Sequence, residues 1–246
     1  MDRLSLLGLL LAAAAVVGGH YLEGGQLQQL FNPAALLIVL GGTLAAAAIQ
    51  SPADDFRRAL QLLRWLVRSP RYDFEDGIGS VVNWCAQARK NGLLALEKEV
   101  ARIQDPVVKG GLQLLVDGRR SEVIRAMMEV QLVSQEQRDL QGARVIESMG
   151  GYAPTLGILG AVIGLIQVMS SLADPEGLGS GIATAFVATV YGVGFANLLL
   201  IPLANKIKNL VLERYRYQEM MLEGLLSIAD GQSPQLIRQR LLGYIG

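Results

Sequence analysis

Few residues in this chain are equipped for chemistry, and most of those lie outside its apolar runs. One histidine, His20, and one cysteine, Cys85, occur in 246 residues, so neither a histidine-based metal site nor an intrachain disulfide can be built. The bland readings are His20 as a loop residue and Cys85 as a small apolar filler. No GxSxG, HExxH, P-loop or paired-cysteine pattern is present. The expectation is a protein that is not an enzyme and that needs no cofactor or metal.

Two groups of residues remain. The first sits in apolar surroundings: Pro154 and Pro202, and the hydroxyls of Thr155, Thr184 and Thr189. Each proline removes a backbone donor, which makes a hinge or a place where freed carbonyls meet water, or else simply marks a helix end. A threonine there bonds back to its own helix or lines a wet path. The second group is the stretch ARKNGLLALE, residues 88–97, with Arg89 and Lys90 before a turn at Asn91-Gly92 and Glu97 after it. Opposite charges held at fixed positions suit fast, reversible electrostatic docking; the competing reading is an ordinary solvated surface.

The elements that position these groups follow from hydropathy. Hydrophobic residues make up 51% of the chain and charged residues 18%, below the quarter or so usual in soluble domains. The shortage is confined to four apolar runs: Leu4 to Leu22, Ala34 to Ile49, Tyr152 to Leu172 and Ile182 to Ala204. A bilayer core of about 30 Å needs roughly 20 helical residues, so the last two runs suffice and the first two are short, as at a bundle edge. All four must be helices, because strands would leave backbone groups unpaired in lipid. The first run also has the look of a signal peptide, but it passes quickly into a second apolar run, as a helical hairpin does.

Basic residues set the orientation. One precedes the first run, fifteen lie between residues 51 and 150, and six follow Asn205. The loops around Glu23 and around Asp174 to Glu176 have none. Both termini and the large insertion are therefore expected in the cytoplasm. The chain reads as all-α and polytopic: a hairpin over 1–50, a cytoplasmic helical domain over 51–150, a second hairpin over 151–204 and a cytoplasmic tail over 205–246. Within the insertion, apolar spacing gives a helix ending at Ser69-Pro70, another from Phe74 to Lys90 and a third from Leu93, stopping near Asp105-Pro106. From Ser121 the pattern runs without proline to Pro154.

Small residues recur four apart at Gly157 and Ala161, at Gly160 and Gly164, and at Ala188, Gly192 and Ala196. That spacing allows close helix approach in lipid, within one chain or between chains. With His20 assigned to a loop, no ionisable group falls in any span. A membrane ion path normally needs one, so either a second chain supplies a carboxylate or no ion moves.

Three stretches, ARKNGLLALE, APTLGILGAVIGLI from Ala153 and ATVYGVGFANLLLIPLANKIK from Ala188, resemble the MotA-type flagellar stator subunits of the MotA/TolQ/ExbB proton channel superfamily. The resemblance covers nearly the whole chain. It implies a homo-pentameric ring around two single-span, peptidoglycan-binding partners of the MotB or MotD type, each with an aspartate in its span. It implies torque on the rotor switch protein FliG, residence in the bacterial inner membrane among lipids, and no nucleic acid. By motif, Arg89, Lys90 and Glu97 would face the rotor, and Pro154 and Pro202 would be the conformational prolines. Thr189, with Thr155 and Ala161, would line the ion path. Ala161 stands where sodium-driven relatives carry threonine, which favours H+ over Na+ as the transported ion. The alternatives are an energising complex of the ExbB or TolQ type, a sodium-driven stator of the PomA type, or a scaffold that transports nothing.

Overall fold

The structure, a computed structural model, describes residues 3–67, 69–170 and 175–245. Among these every regular element is helical. The longer helices are α1 (Arg3–Leu22), α2 (residues 33–50), α3 (Ala53–Val67), α4 (Phe74–Asn91), α5 (Pro106–Val116), α6 (Ser121–Ser170), α7 (residues 175–229) and α8 (Pro234–Leu241). Four stretches are long and apolar enough to cross a membrane: Leu4–Leu22, Leu27–Gln50, and the apolar parts of Ser121–Ser170 and Gly181–Ala229. The chain forms two compact units, Met1–Ser69 with Asp139–Lys208, and Pro70–Arg138 with Asn209–Gly246.

In the first unit α1 buries none of its apolar window within the chain. A helix apolar all round and still uncovered is suited to lipid. His20 belongs to its last turn rather than to a loop, because Gly24, at φ +79°, is where the helix yields to a turn. The His20 Nε2 lies 3.1 Å from the Gln26 carbonyl. Asn32 then caps α2, its side chain accepting from the Ala35 N–H at 3.0 Å, with Pro33 at the first helical position. A π segment, Leu37–Gly41, interrupts α2, and a second, Phe195–Leu200, interrupts α7.

Helix α7 begins at Pro175, ahead of the expected Ile182. Asp174, placed in the outer loop on sequence, lies outside the described residues, as do Ser171 and Leu172 of the third run.

The second unit has an ordinary soluble core. Trp84, Leu96, Leu112, Leu115, Met128, Leu225 and Ile237 are buried together between α4, α5, α8 and the adjoining parts of α6 and α7. Asp105-Pro106 is a helix start as well as a stop. The Asp105 carboxylate accepts from the Val107 and Val108 N–H groups at 3.0 and 3.2 Å, and Pro106 opens α5, a helix the sequence reading passed over. Gln218 and Arg214 also donate to Asp105, which ties this cap to α7.

Candidate functional site

The apolar parts of α6 and α7 meet backbone to backbone. A methyl group built on Gly157 would stand 2.9 Å from the Ala188 carbonyl oxygen, and one on Gly192 would stand 2.6 Å from that of Ala153. Two turns on, a methyl group on Gly164 would stand 2.8 Å from the Gly181 oxygen, and toward the other end one on Gly150 would meet Ile201. The small residues are thus used within the chain, to close this seam. Ala161 sits half-buried at its edge.

Both prolines lie inside continuous helix, so neither marks a helix end. By helical register Pro154 leaves the Gly150 carbonyl without its usual donor, and Pro202 does the same to Leu198. The Pro202 gap coincides with the π segment, a local rewinding that accommodates the lost bond. Pro154 stands between the Ala153–Gly192 and Gly157–Ala188 contacts, and Pro202 follows Ile201, which meets Gly150, so the two prolines flank one stretch of seam. Thr155 and Thr189 are both exposed. Each bonds back to its own helix: the Thr155 hydroxyl donates to the Tyr152 carbonyl at 2.7 Å, and that of Thr189 to the Ala185 carbonyl at 3.2 Å.

Thr184 has a different role. Its oxygen accepts from Asn32 Nδ2 at 2.8 Å. The Asn32 N–H donates to the Tyr191 hydroxyl at 3.2 Å, and that hydroxyl donates to the Leu30 carbonyl at 2.5 Å. This staple between α7 and the start of α2 was missed on sequence, although the Asn32-Pro33 pair was a readable cap. Also missed was a buried pair at the other end of the same unit. Arg58 Nε donates to Asp139 Oδ1 at 2.6 Å, with the Asp139 side chain only 2% exposed. The same guanidinium lies over the Trp65 ring. Nothing in the local sequence pairs residues so far apart.

The charged turn belongs to the second unit. Helix α4 starts at the Asp73 cap, with acids in its first turn and Arg89 and Lys90 in its last, matching the helix dipole. Gly92, at φ +80°, turns the chain where other residues would be strained. Leu96 is buried in the core and Leu93 packs against it. Arg89, Lys90, Leu94 and Glu97 remain exposed. Burial pushes the neighbouring Cys85 thiol up, and Arg89 pulls it part of the way back, so Cys85 is a filler rather than a nucleophile.

Comparison with known proteins places this arrangement. The Motility protein A N-terminal family model matches residues 6–92, and the MotA/TolQ/ExbB proton channel family model matches residues 99–220. Motility protein A of Bacillus subtilis (strain 168) is 39% identical over 246 residues, covering 100% of this chain and 91% of the relative. The chain belongs to the motility protein A family. Two solved structures agree in fold: C. jejuni MotAB, with a TM-score of 0.94, 29% identity and coverage of 100% of this chain and 96% of that one, and the flagellar MotAB stator complex from Bacillus subtilis, with a TM-score of 0.90, 39% identity and coverage of 99% and 96%. Within this motility protein A relative, the seam prolines and the two back-bonded threonines belong to the membrane-spanning unit, and Arg89, Lys90 and Glu97 to the soluble one.

Proposed function

We propose that this chain is the membrane-embedded stator subunit of a flagellar motor, coupling ion flow through the inner membrane to torque on the rotor. The observation that carries the reading is the likeness to MotAB stator complexes over almost the whole chain, in spans free of Asp, Glu, Lys and Arg. The one histidine, His20, stands in the last turn of α1, so the carboxylate of an ion path must come from another chain. In this reading a MotB-type partner supplies an aspartate beside Thr189 and Thr155, and five copies ring two partners. Pro154 and Pro202 let the seam flex as the acid loads and unloads. Arg89, Lys90 and Glu97 push on FliG, and both termini are cytoplasmic. Ala161 offers no hydroxyl for a desolvated sodium ion, which supports protons.

The match of the N-terminal motility protein A model over 6–92 favours this reading over an ExbB- or TolQ-type complex. The test is complementation of a motile cell stripped of its stators. With the aspartate-bearing partner the chain restores swimming, the double reversal of Arg89 and Glu97 abolishes it, and the chain alone passes no proton current in liposomes. A strong current from the chain alone overturns the proposal.

A further inference from the structure

Helix α3 has more apolar surface than the chain covers. Ala59, Leu62 and Leu66 form its buried stripe, and a methyl group on Gly142 of α6 would meet the Ala59 nitrogen at 3.2 Å. A second stripe, Phe56, Leu60, Leu63 and Val67, recurs at helical spacing about a third of a turn around from the Gly142 contact. Leu60 is 56% and Val67 71% exposed, and Phe56 and Leu63 are half-buried. Beside this second stripe stand Arg57 and Arg64, both exposed. Among the described residues Arg57 is paired with the exposed Asp54, at 3.9 Å, a pair too open to hold it.

The position of α3 in the chain says what covers that stripe. Helix α2 ends at Gln50 and α3 begins at Ala53. Three extended residue steps reach about 10 Å, comparable to the interfacial layer beyond the hydrocarbon core. The Tyr152 hydroxyl donates to Gln50 Oε1 at 2.5 Å, which fixes that end of α2 beside the start of the apolar part of α6. A helix leaving the bilayer there, with leucine and valine on one strip and arginines at its border, has the composition of a surface-lying helix.

We infer that α3 rests on the cytoplasmic leaflet, its Phe56–Leu60–Leu63–Val67 strip entering the headgroup boundary while Arg57 and Arg64 bind anionic phospholipid. This goes beyond the motor reading but rests on its topology, with α2 crossing the membrane and leaving it on the cytoplasmic side. The leaflet's negative surface potential holds such arginines, and the strip supplies apolar insertion.

The test uses the complex with its partner in lipid vesicles. A fluorophore is attached at Leu60→Cys, and for comparison at Val130→Cys, an exposed position in the soluble unit. Cys85 is buried and stays unlabelled. Brominated phosphatidylglycerol quenches the Leu60 probe several-fold more than brominated phosphatidylcholine at equal mole fraction, since each leaflet-facing basic residue enriches anionic lipid by about fivefold. The Arg57→Gln/Arg64→Gln double variant removes the difference but keeps the quenching, and the Val130 probe is quenched by neither lipid. Equal quenching by the two lipids in the parent chain overturns the headgroup recognition. No quenching at Leu60 overturns the proposal altogether and assigns the strip to a second copy of the chain or to the partner.

Discussion

A methyl group added at Gly192 would lie 2.6 Å from the Ala153 carbonyl oxygen, 2.9 Å from Gly157 Cα and 3.2 Å from Gly157 nitrogen. All three are backbone atoms, so no rotamer can move aside. A carbon–oxygen contact relaxes only beyond about 3.3 Å, so α6 and α7 must part by roughly 0.7 Å along a seam that Gly157, Gly164 and Gly181 also hold closed. Overpacking of this kind costs about 1–3 kcal/mol. Gly194, two residues along the same helix, has nothing within 4 Å of its added carbon. Alanine there removes only chain freedom, a gain of roughly 0.5–1 kcal/mol in a helix interior. The two substitutions are chemically identical and should act in opposite directions. Thermal unfolding of the purified complex reads this directly: Gly192→Ala lowers the midpoint, while Gly194→Ala leaves it unchanged or raises it. A Gly192→Ala complex as stable as its parent, or a Gly194→Ala complex equally damaged, refutes the close-seam argument.

Two more predictions concern charge. Asp139→Ala strands the Arg58 guanidinium in a largely buried site and should cost roughly 3 kcal/mol in the same unfolding assay, whereas removing both charges with Arg58→Met/Asp139→Leu should recover most of that loss. In the soluble unit, burial pushes the Glu219 carboxyl above its ordinary value of 4.5, helped by Glu223 and Glu136 and opposed by Arg216. A raised folded-state pKa gives stability that is present below the unfolded pKa and lost as pH rises through the folded one. Glu219→Gln is therefore more stable than the parent at neutral pH and indistinguishable from it in acid, as a pH series of unfolding midpoints would record.

Most of the fold was legible because it is written in short-range terms. The four spans are continuous apolar runs, the α4 terminus is an Asn91-Gly92 turn, and the small-residue spacing of α6 and α7 declared a close crossing. That pattern left open whether the crossing lay within the chain or between chains, since glycine spacing carries no address for its partner. Asp105-Pro106 was half read: a capping aspartate before a proline opens a helix as readily as the proline closes one. His20 was misplaced as a loop residue although it falls inside the first apolar run; the helix carries it in its last turn and yields only at Gly24. Non-local pairings such as Asn32 with Thr184, or Arg58 with Asp139, have no sequence signature, because the residues meet only after α6 and α7 are in place. The roles given to the candidate site residues rest chiefly on resemblance; side-chain pattern alone would have supported a scaffold equally well.

The two seam threonines carry one further implication. Because the hydroxyl protons of Thr155 and Thr189 are already engaged by carbonyls of their own helix, what each offers outward is a lone pair. An electron-rich rim of that kind welcomes a neutral carboxylic acid, whose O–H it can accept, and is indifferent or hostile to the bare anion. In the proposed motor, an acid brought beside them by the partner would therefore be held when loaded and let go when emptied, a bias toward one half of its cycle that comes from two side chains with no charge of their own.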